Sequence, residues 1–500
     1  MLNNPTPSNA PYQPNWDSLI SYGVPKWMID AKFGIYAHWG LYAVPAFGNE
    51  WYGKRVYEPE HQKFPVHHEH IRRYGPLNEF GYKDFIPLFM AEAYDPDSWA
   101  TLIKESGARY GGISLAHHDG YGLWDSDVYQ WNVGKMGPKR DLYGELVTAL
   151  RQQGLRIVAP FHIVRGFNWY LPGWTQYEKQ MDHETIAQGK REGWDIFDPA
   201  YKDFYWNSEV GADYDEFLAL WKAKVIEVID RYEPDLMWFD GGEFRDSPYE
   251  IHTLEILAHY LNRSVEWNKE VTVLNKLATN LMHNFPNEFG VLNYEAGRSR
   301  KGKISRPWND DIKIGDPSWG YVANQRYLTG KQILHNLIDR VSRGGSLMLS
   351  ISPKADGTIP EGQQQVLRDV GAWLGVYGEA IYNTRGWIVH GEGDDARFID
   401  ESGTHLQWNL DNCNSSDKRY TQSEDGRIIY AFTLGRPSGQ IIFESLGTDQ
   451  GLLEREIHAV HLVGGAESTW QRQPGGLVID GTTIDEIPDA AVVWKIELKG

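Results

Sequence analysis

Residues 31–52 read AKFGIYAHWGLYAVPAFGNEWY. The apolar run Phe33 to Ala37 has the length and composition of a strand buried on both faces. It ends abruptly at His38-Trp39-Gly40, and Glu50-Trp51-Tyr52 follows within a loop. A strand that releases polar and aromatic groups at its C-terminal end is how an α/β barrel begins an active site. Two Trp, two Tyr, a His and a Glu between residues 38 and 52 suit a flat, hydroxyl-rich ligand. Aromatic faces cover the ligand's C–H groups while polar tips bond its hydroxyls.

Working outward, short apolar runs alternate with amphipathic stretches from about residue 30 to residue 355. Asp95-Pro96 is a helix start with a cap and a proline at the first position; Trp99, Leu102 and Ile103 supply its buried face and Gly107 closes it. YGGISLAHH follows as a strand, and LRIVAPFHI at 155–163 is another. Phe217, Trp221, Val225, Val228 and Tyr232 recur at helical spacing and lead into LMWFD at 236–240. VTVLN at 271–275, GVLNYE at 290–295 and SLMLSIS at 346–352 read as further strands. This alternation predicts a parallel sheet, and polar groups at the strand ends favour a (β/α)8-like barrel over an open doubly wound sheet. No glycine-rich phosphate fingerprint follows the first strand, which disfavours nucleotide binding. After about residue 375 the pattern changes to RFIDE, THLQWNL, GRIIYAFTL, GQIIFESL and AVVWKIEL, separated by Gly, Asp, Asn and Ser. These segments predict an antiparallel β-sandwich. The expected division is an N-terminal extension over 1–25, a barrel over 26–374 and a sandwich over 375–500, with Gly371 to Tyr382 as the junction.

Bulk properties narrow the function. A net charge of −19 argues against nucleic acid and anionic membranes as partners. No apolar run is long enough for a transmembrane helix. The first residues, MLNNPTPSNAPYQPNW, have neither the basic cluster nor the apolar core of a secretory signal, and the compartment stays open. Cys413 is the single cysteine, so no intrachain disulfide forms. Oligomeric state is not readable, and a homo-oligomer stays open.

Four strand ends concentrate the chemistry: His38-Trp39; His117-His118-Asp119 with Tyr121 and Trp124; Trp238-Phe239-Asp240-Gly241; and Tyr294-Glu295-Ala296-Gly297. Asp240 closes an apolar strand, where a carboxylate is costly unless solvated or bonded, and the glycines after it let a ligand approach the backbone. It reads as a reactive carboxylate or as a helix cap. Glu295 stands in a similar place, and the pair suggests acid/base or nucleophilic work on a glycosidic bond. Adjacent histidines on a strand point to opposite faces, so His117 and His118 are read as ligands for sugar hydroxyls rather than for a metal. No metal and no cofactor are expected. Asp310, Asp311 and Asp316 could hold calcium but lack the EF-hand pattern. No G-x-S-x-G elbow supports a serine hydrolase.

In this order the strand ends resemble the α-L-fucosidases of glycoside hydrolase family 29. The matching segments are KFGIYAHWGLYAVPA, EWY, GISLAHHDGYGLWDS, PDLMWFDG, SWGY at Ser318 to Tyr321, GGSLMLSISPKADGTIP and GEAIYNTRGW, spanning about residues 25–390. The resemblance implies a retaining exo-glycosidase on a (β/α)8-like barrel with a C-terminal β-sandwich, acting on fucosylated glycans. It makes Asp240 the nucleophile and Glu295 the general acid/base. It assigns the fucose ring and hydroxyls to His38, Glu50, Trp51, His117, His118 and Trp319, with Trp39 or Trp319 facing the C5 methyl. Trp238, beside Asp240, joins this binding set.

The chain also departs from the family's pattern. Ala116 stands where many members have lysine. PFHIVRGFNW replaces a tyrosine-rich segment, so that His162 or Trp169 takes the tyrosine's part. Trp308-Asn309-Asp310-Asp311 replaces Trp-Glu. Arg298, Arg300, Lys301 and Lys303 follow Glu295 as a basic run that would suit a sulfated or acidic glycan, or simply a solvated loop. The competing readings are an α-L-galactosidase or sulfated-fucoside hydrolase, a non-catalytic fucose-binding protein, and a metal-dependent hydrolase resting on the His pair.

Overall fold

The computed structural model describes residues 10–61, 63–174, 180–241, 250–277, 283–296, 305–393, 410, 413–480 and 490–499. RFIDE at 397–401 and all of THLQWNL but Leu410 lie outside these residues, as does the basic run after Glu295.

Eight parallel strands close into a barrel in chain order: β1 (Phe33–Ala37), β2 (Tyr110–Ile113), β3 (Arg156–Phe161), β4 (Leu236–Phe239), β5 (Thr272–Lys276), β6 (Val291–Glu295), β7 (Trp308–Lys313) and β8 (Ser346–Ile351). β1 pairs with β8 in a continuous register from Phe33↔Leu347 to Ala37↔Ile351, which shuts the ring. Alternation along each strand sends one set of side chains inward and the other outward. In β1, Tyr36 joins the interior cluster with Tyr110, Val158, Trp238, Leu274 and Met348. Phe33, Ile35 and Ala37 join the outer cluster, which holds the helix faces. Gly34 is a close approach: a Cβ there would stand 2.0 Å from the Tyr110 ring.

Helices Pro96–Glu105, Leu142–Gln152, Tyr214–Tyr232, Glu250–Glu266, Gly330–Ser342 and Glu361–Tyr377 follow β1, β2, β3, β4, β7 and β8. The first starts where Asp95 accepts from the backbone N–H groups of Asp97 and Ser98. Phe217, Trp221, Val225, Val228 and Tyr232 are all buried along the third. Among the described residues no helix follows β5 or β6.

The C-terminal part has a five-stranded antiparallel sheet made of β9 (Thr384–Glu392), β10 (Lys418–Ser423), β11 (Ile428–Thr433), β13 (Ile457–Leu462) and β16 (Val492–Leu498), in the order β9-β10-β11-β16-β13. A second sheet has the order β12-β15-β14, from Gln440–Phe443, Gly476–Asp480 and Trp470–Gln473. Ile429, Ala431 and Trp494 of the first sheet share a core with Ile441, Phe443 and Ile479 of the second. This is the sandwich expected from the sequence. The outer face of β11, Tyr430 and Phe432, packs into the barrel's cluster instead. Arg419 crosses the junction and donates from Nε to Asp339 Oδ1 at 2.8 Å, with both side chains fully buried. Burial pushes Asp339 up, but Arg343, Arg419 and Arg340 outweigh it and hold the carboxyl below its ordinary value. Among the described residues no helix is long and apolar enough to cross a membrane.

Candidate active site

At the C-terminal ends of the barrel strands lies a cavity of about 230 Å³. Nine of the eleven residues singled out in the sequence line it: His38, Glu50, Trp51, His117, His118, Trp238, Asp240, Glu295 and Trp319. Strand pairing carries these side chains to their places. The Asp240 backbone N–H donates to Phe161 O at 2.8 Å, one step beyond the paired part of β4. Glu295 stands level with Asp311 across β6 and β7. Gly241, at φ +75, lets the chain turn against Arg165; a Cβ there would fall 2.0 Å from Arg165 Nε.

Each wall is held from behind. His38 Nδ1 meets Ser350 Oγ at 2.8 Å. His118 Nδ1–H donates to the His162 carbonyl. The Trp238 indole donates to Asn293 Oδ1 at 3.0 Å. Glu50 Oε2 accepts from Ser318 Oγ at 2.9 Å and from the Trp319 backbone N–H at 3.0 Å, clamping the segment that carries Trp319 over His38. The Trp51 ring lies edge-on to His118, 5.3 Å between centroids, and 5.9 Å from Trp169.

At the centre stands Lys276, at the end of β5 and 4% exposed. Its ammonium is 3.5 Å from Asp240 Oδ1, 3.2 Å from Glu295 Oε2, and 3.1 and 3.3 Å from the two oxygens of Asp311. Burial alone would push Asp240 up. The attraction of Lys276 comes next, and with the further positive charge of Arg165 it holds the carboxyl well below the carboxylate range. Asp311 goes the other way: burial raises it, Lys276 opposes, and the negative charges of Glu295 and Asp240 add to the rise. Lys276 remains charged because the three carboxylates outweigh its burial. Burial drives His38, His117 and His162 well below the ordinary imidazole value, and His118 down to about 3. Near neutral pH these are uncharged rings that donate from one nitrogen and accept at the other.

One family model, described as alpha-L-fucosidase, matches residues 1–379. The chain belongs to the alpha-L-fucosidase family. It is therefore a glycoside hydrolase. Tissue alpha-L-fucosidase of Bos taurus is 31% identical over 385 residues, 76% of this chain and 74% of that protein. Plasma alpha-L-fucosidase of Homo sapiens is 30% identical over 444 residues, 87% of this chain and 82% of its own length. The crystal structure of Thermotoga maritima alpha-fucosidase in complex with fucose superposes with a TM-score of 0.70 at 28% identity, covering 97% of this chain and 100% of that one.

Two residues singled out in this fucosidase do not line the cavity. Trp39 follows the inward-facing His38 and so turns outward. It packs against Phe89, Tyr94 and Trp99, and its indole donates to Lys354 O at 2.7 Å. It is 1% exposed and away from the cavity, whereas Trp319 lines it. His162 is fully buried behind Asp240, with Nε2 3.3 Å from Asp240 Oδ2 and Nδ1 2.9 Å from Ser114 Oγ. The calcium reading also fails geometrically. Asp310 points away from the barrel axis to Arg340 Nε at 2.9 Å, while Asp311 points inward to Lys276. Asp119, beside the paired histidines, serves the loop: it accepts from Tyr82 at 2.7 Å, and burial pushes it up to about 6.

Sequence reasoning missed Lys276 and Arg165, and offered Asp311 for calcium or, with Asp310, as a substitute acid should Glu295 fail in that role. The signal for Lys276 was the strand-end rule itself, since it closes β5 one residue after VTVLN. The paired histidines, too, lie beyond the end of β2 rather than on it, which frees both to face the cavity. His38, His117 and His162 each offer a ring nitrogen, all within 4.8 Å of one another, a donor set suited to a transition metal.

Proposed function

We propose that this fucosidase is a retaining exo-enzyme that removes terminal α-L-fucosyl residues from glycans through a covalent glycosyl-enzyme. The observation that carries the reading is the shared lysine. Asp240 Oδ1 and Glu295 Oε2 touch one ammonium at 3.5 and 3.2 Å, so these oxygens are separated by at most the sum of the two, about 6.7 Å. Retaining glycosidases hold their carboxyl groups roughly 5–5.5 Å apart, whereas inverting ones need roughly 6.5–9.5 Å to admit a water. A separation of at most about 6.7 Å between these two oxygens supports the retaining reading.

The roles follow from charge. Asp240 is kept ionised, so its oxygen attacks the anomeric carbon. Glu295 gives its proton to the departing glycosidic oxygen. The same carboxylate then takes a proton from water as that water cleaves the glycosyl ester and releases Asp240. His38, His117, His118 and Glu50 bond the hydroxyls, and Trp319 covers the C5 methyl. A cavity of about 230 Å³ takes one sugar ring, less than the roughly 300–1,000 Å³ of pockets for larger ligands, which supports exo action. A Thermotoga maritima alpha-L-fucosynthase, 27% identical and covering 98% of this chain, has been solved with alpha-L-Fuc-(1-2)-beta-L-Fuc-N3. An alpha-fucosidase of that organism, 26% identical, has been solved with a mechanism-based inhibitor. Both support a covalent route.

The test is Asp240→Gly assayed on an aryl α-L-fucoside with and without azide. Turnover is lost without azide, and azide restores part of it as β-fucosyl azide. Near-normal hydrolysis by the folded variant, or an α-configured azide product, would overturn the assignment.

A further inference from the structure

Three clustered histidines come from three strand ends: His38 after β1 and His117 after β2 line the cavity, and His162 after β3 lies buried just behind them. Their ring centroids are 5.9, 5.0 and 5.1 Å apart, and each side chain is at most 4% exposed. Two are oriented from outside. Ser350 holds His38 by Nδ1 and Ser114 holds His162 by Nδ1, so both present Nε2 to the space between them. A serine on the far nitrogen of a ring is the arrangement that fixes the tautomer and aim of a metal-binding imidazole. Two buried nitrogens, His117 Nδ1 and His162 Nε2, have no hydrogen-bond partner among the described residues. Unpaired buried nitrogens are costly, and a ligand that engages them recovers that cost.

A fourth donor borders the triangle, although it is not among the atoms that lie within 4.8 Å of one another. Asp240 Oδ2 stands 3.3 Å from His162 Nε2. Three imidazoles and one carboxylate make a common tetrahedral set for a zinc-class ion. Metal–nitrogen bonds of about 2.0–2.1 Å set the nitrogens about 3.4 Å apart. From a triangle no wider than 4.8 Å, each ring moves inward by at most about 0.8 Å, within reach of small side-chain rotations. Lys276 and Arg165 oppose a cation here, and the carboxylates of Asp240 and Glu50 in the same cavity offset them.

We infer that His38, His117, His162 and Asp240 form a site for a zinc-class divalent ion, and that its occupancy excludes the sugar and silences the enzyme. The ion takes no part in hydrolysis; it occupies the nucleophile and two hydroxyl-binding rings. Its inhibitory effect rests on the proposed role of Asp240, but its binding does not.

The test titrates the full-length, metal-free protein with Co²⁺ and reads the visible d–d band, whose strength reports a tetrahedral site. One equivalent is expected to produce the band, and Zn²⁺ to displace it. His117→Ala and, as a variant at a partly exposed position, Asp240→Asn are each expected to weaken Co²⁺ binding by about tenfold or more. Zn²⁺ is expected to inhibit aryl fucoside turnover competitively, with recovery on adding a chelator. An active enzyme that yields no tetrahedral band overturns the site. So does a band unchanged in both folded variants, or Zn²⁺ inhibition that substrate cannot relieve. Turnover by the metal-free protein separately decides the fucosidase reading: a chain that binds Co²⁺ as described yet cleaves no fucoside refutes that reading and leaves the metal site standing.

Discussion

Replacing Lys276 with Gln tests the electrostatic core of the site. The change removes one buried charge while keeping a hydrogen-bonding side chain of similar length. At 3.5 Å from Asp240, and at an effective dielectric of about 20, one charge pair contributes about 4.7 kcal/mol. At about 1.36 kcal/mol per pH unit, the acid limb of the activity profile then moves upward by at most about 3.5 pH units. The realised movement is smaller, because Asp240 is 23% exposed and Arg165 remains. The sign is fixed by the state that reacts. In the parent, the depressed Asp240 stays ionised far into acid; its stabilising contribution is present above the ordinary carboxylate value and is lost as pH falls through the folded one. Without Lys276 burial acts with less opposition, Asp240 keeps its proton to higher pH, and a protonated carboxyl does not attack. The assay is kcat/KM on an aryl α-L-fucoside from about pH 4 to pH 9, with unfolding curves to show that the variant folds. Activity should fall most steeply on the acid side and recover part of the loss toward the alkaline end. An acid limb within about half a pH unit of the parent's would refute the reasoning, because it would mean that Arg165 and the backbone dipoles keep Asp240 ionised without the lysine.

Glu295→Ala should slow fucosides with poor leaving groups far more than activated aryl fucosides, by about 10²–10⁴-fold, the usual worth of a general acid; an Asp311→Asn variant showing that same leaving-group dependence would transfer the role to Asp311. Unfolding should become easier as pH falls below about 6.5, because burial depresses His38, His117 and His162 in the folded chain. Their contribution is complete above the unfolded value and is lost below it at up to about 1.4 kcal/mol per pH unit for each ring. Urea unfolding at pH 7.5 and pH 5.5 measures this, and equal midpoints would show that the rings ionise freely in the folded state.

Most of the barrel was legible because its strands are buried on both faces and therefore stand out as uninterrupted apolar runs. His38 and Asp240 were found because each is the first polar residue after such a run, and Glu295 because it is the charged residue that ends VLNYE. The same logic misplaced Trp39, since composition does not distinguish a ring facing the ligand from one facing the helices. Counting alternation from Tyr36 would have turned it outward. Lys276 was overlooked for the opposite reason. A lysine after VTVLN reads as the polar edge of a strand, and what makes it tolerable in the barrel is three carboxylates from β4, β6 and β7. That proximity belongs to the closed ring and not to any local pattern. That no helix follows β5 or β6 among the described residues was equally invisible, because the alternation was assumed all round the barrel.

In the proposed mechanism the shared lysine would help to keep Asp240 ionised and would draw the proton away from Glu295 in the second step. Lys276 is nearly equidistant from Asp240 and Glu295, at 3.5 and 3.2 Å, so it cannot by itself distinguish them. Arg165 acts on Asp240 and tips the balance toward an ionised nucleophile. Once Asp240 has become a glycosyl ester it carries no charge, and the whole pull of Lys276 falls on Glu295 and Asp311. Under the proposed two-step mechanism this would favour Glu295 as a base at the step that needs one. This makes the second step more sensitive to Lys276 than an activated first step. With an aryl fucoside whose leaving group needs no proton, Lys276→Gln assayed at alkaline pH, where Asp240 is ionised, should release a burst of one equivalent of phenol before a slow steady state. An external nucleophile such as azide, which needs no base, should then raise the steady rate. A variant that shows neither burst nor azide acceleration under these conditions would place its slow step at glycosylation and remove Lys276 from the second step.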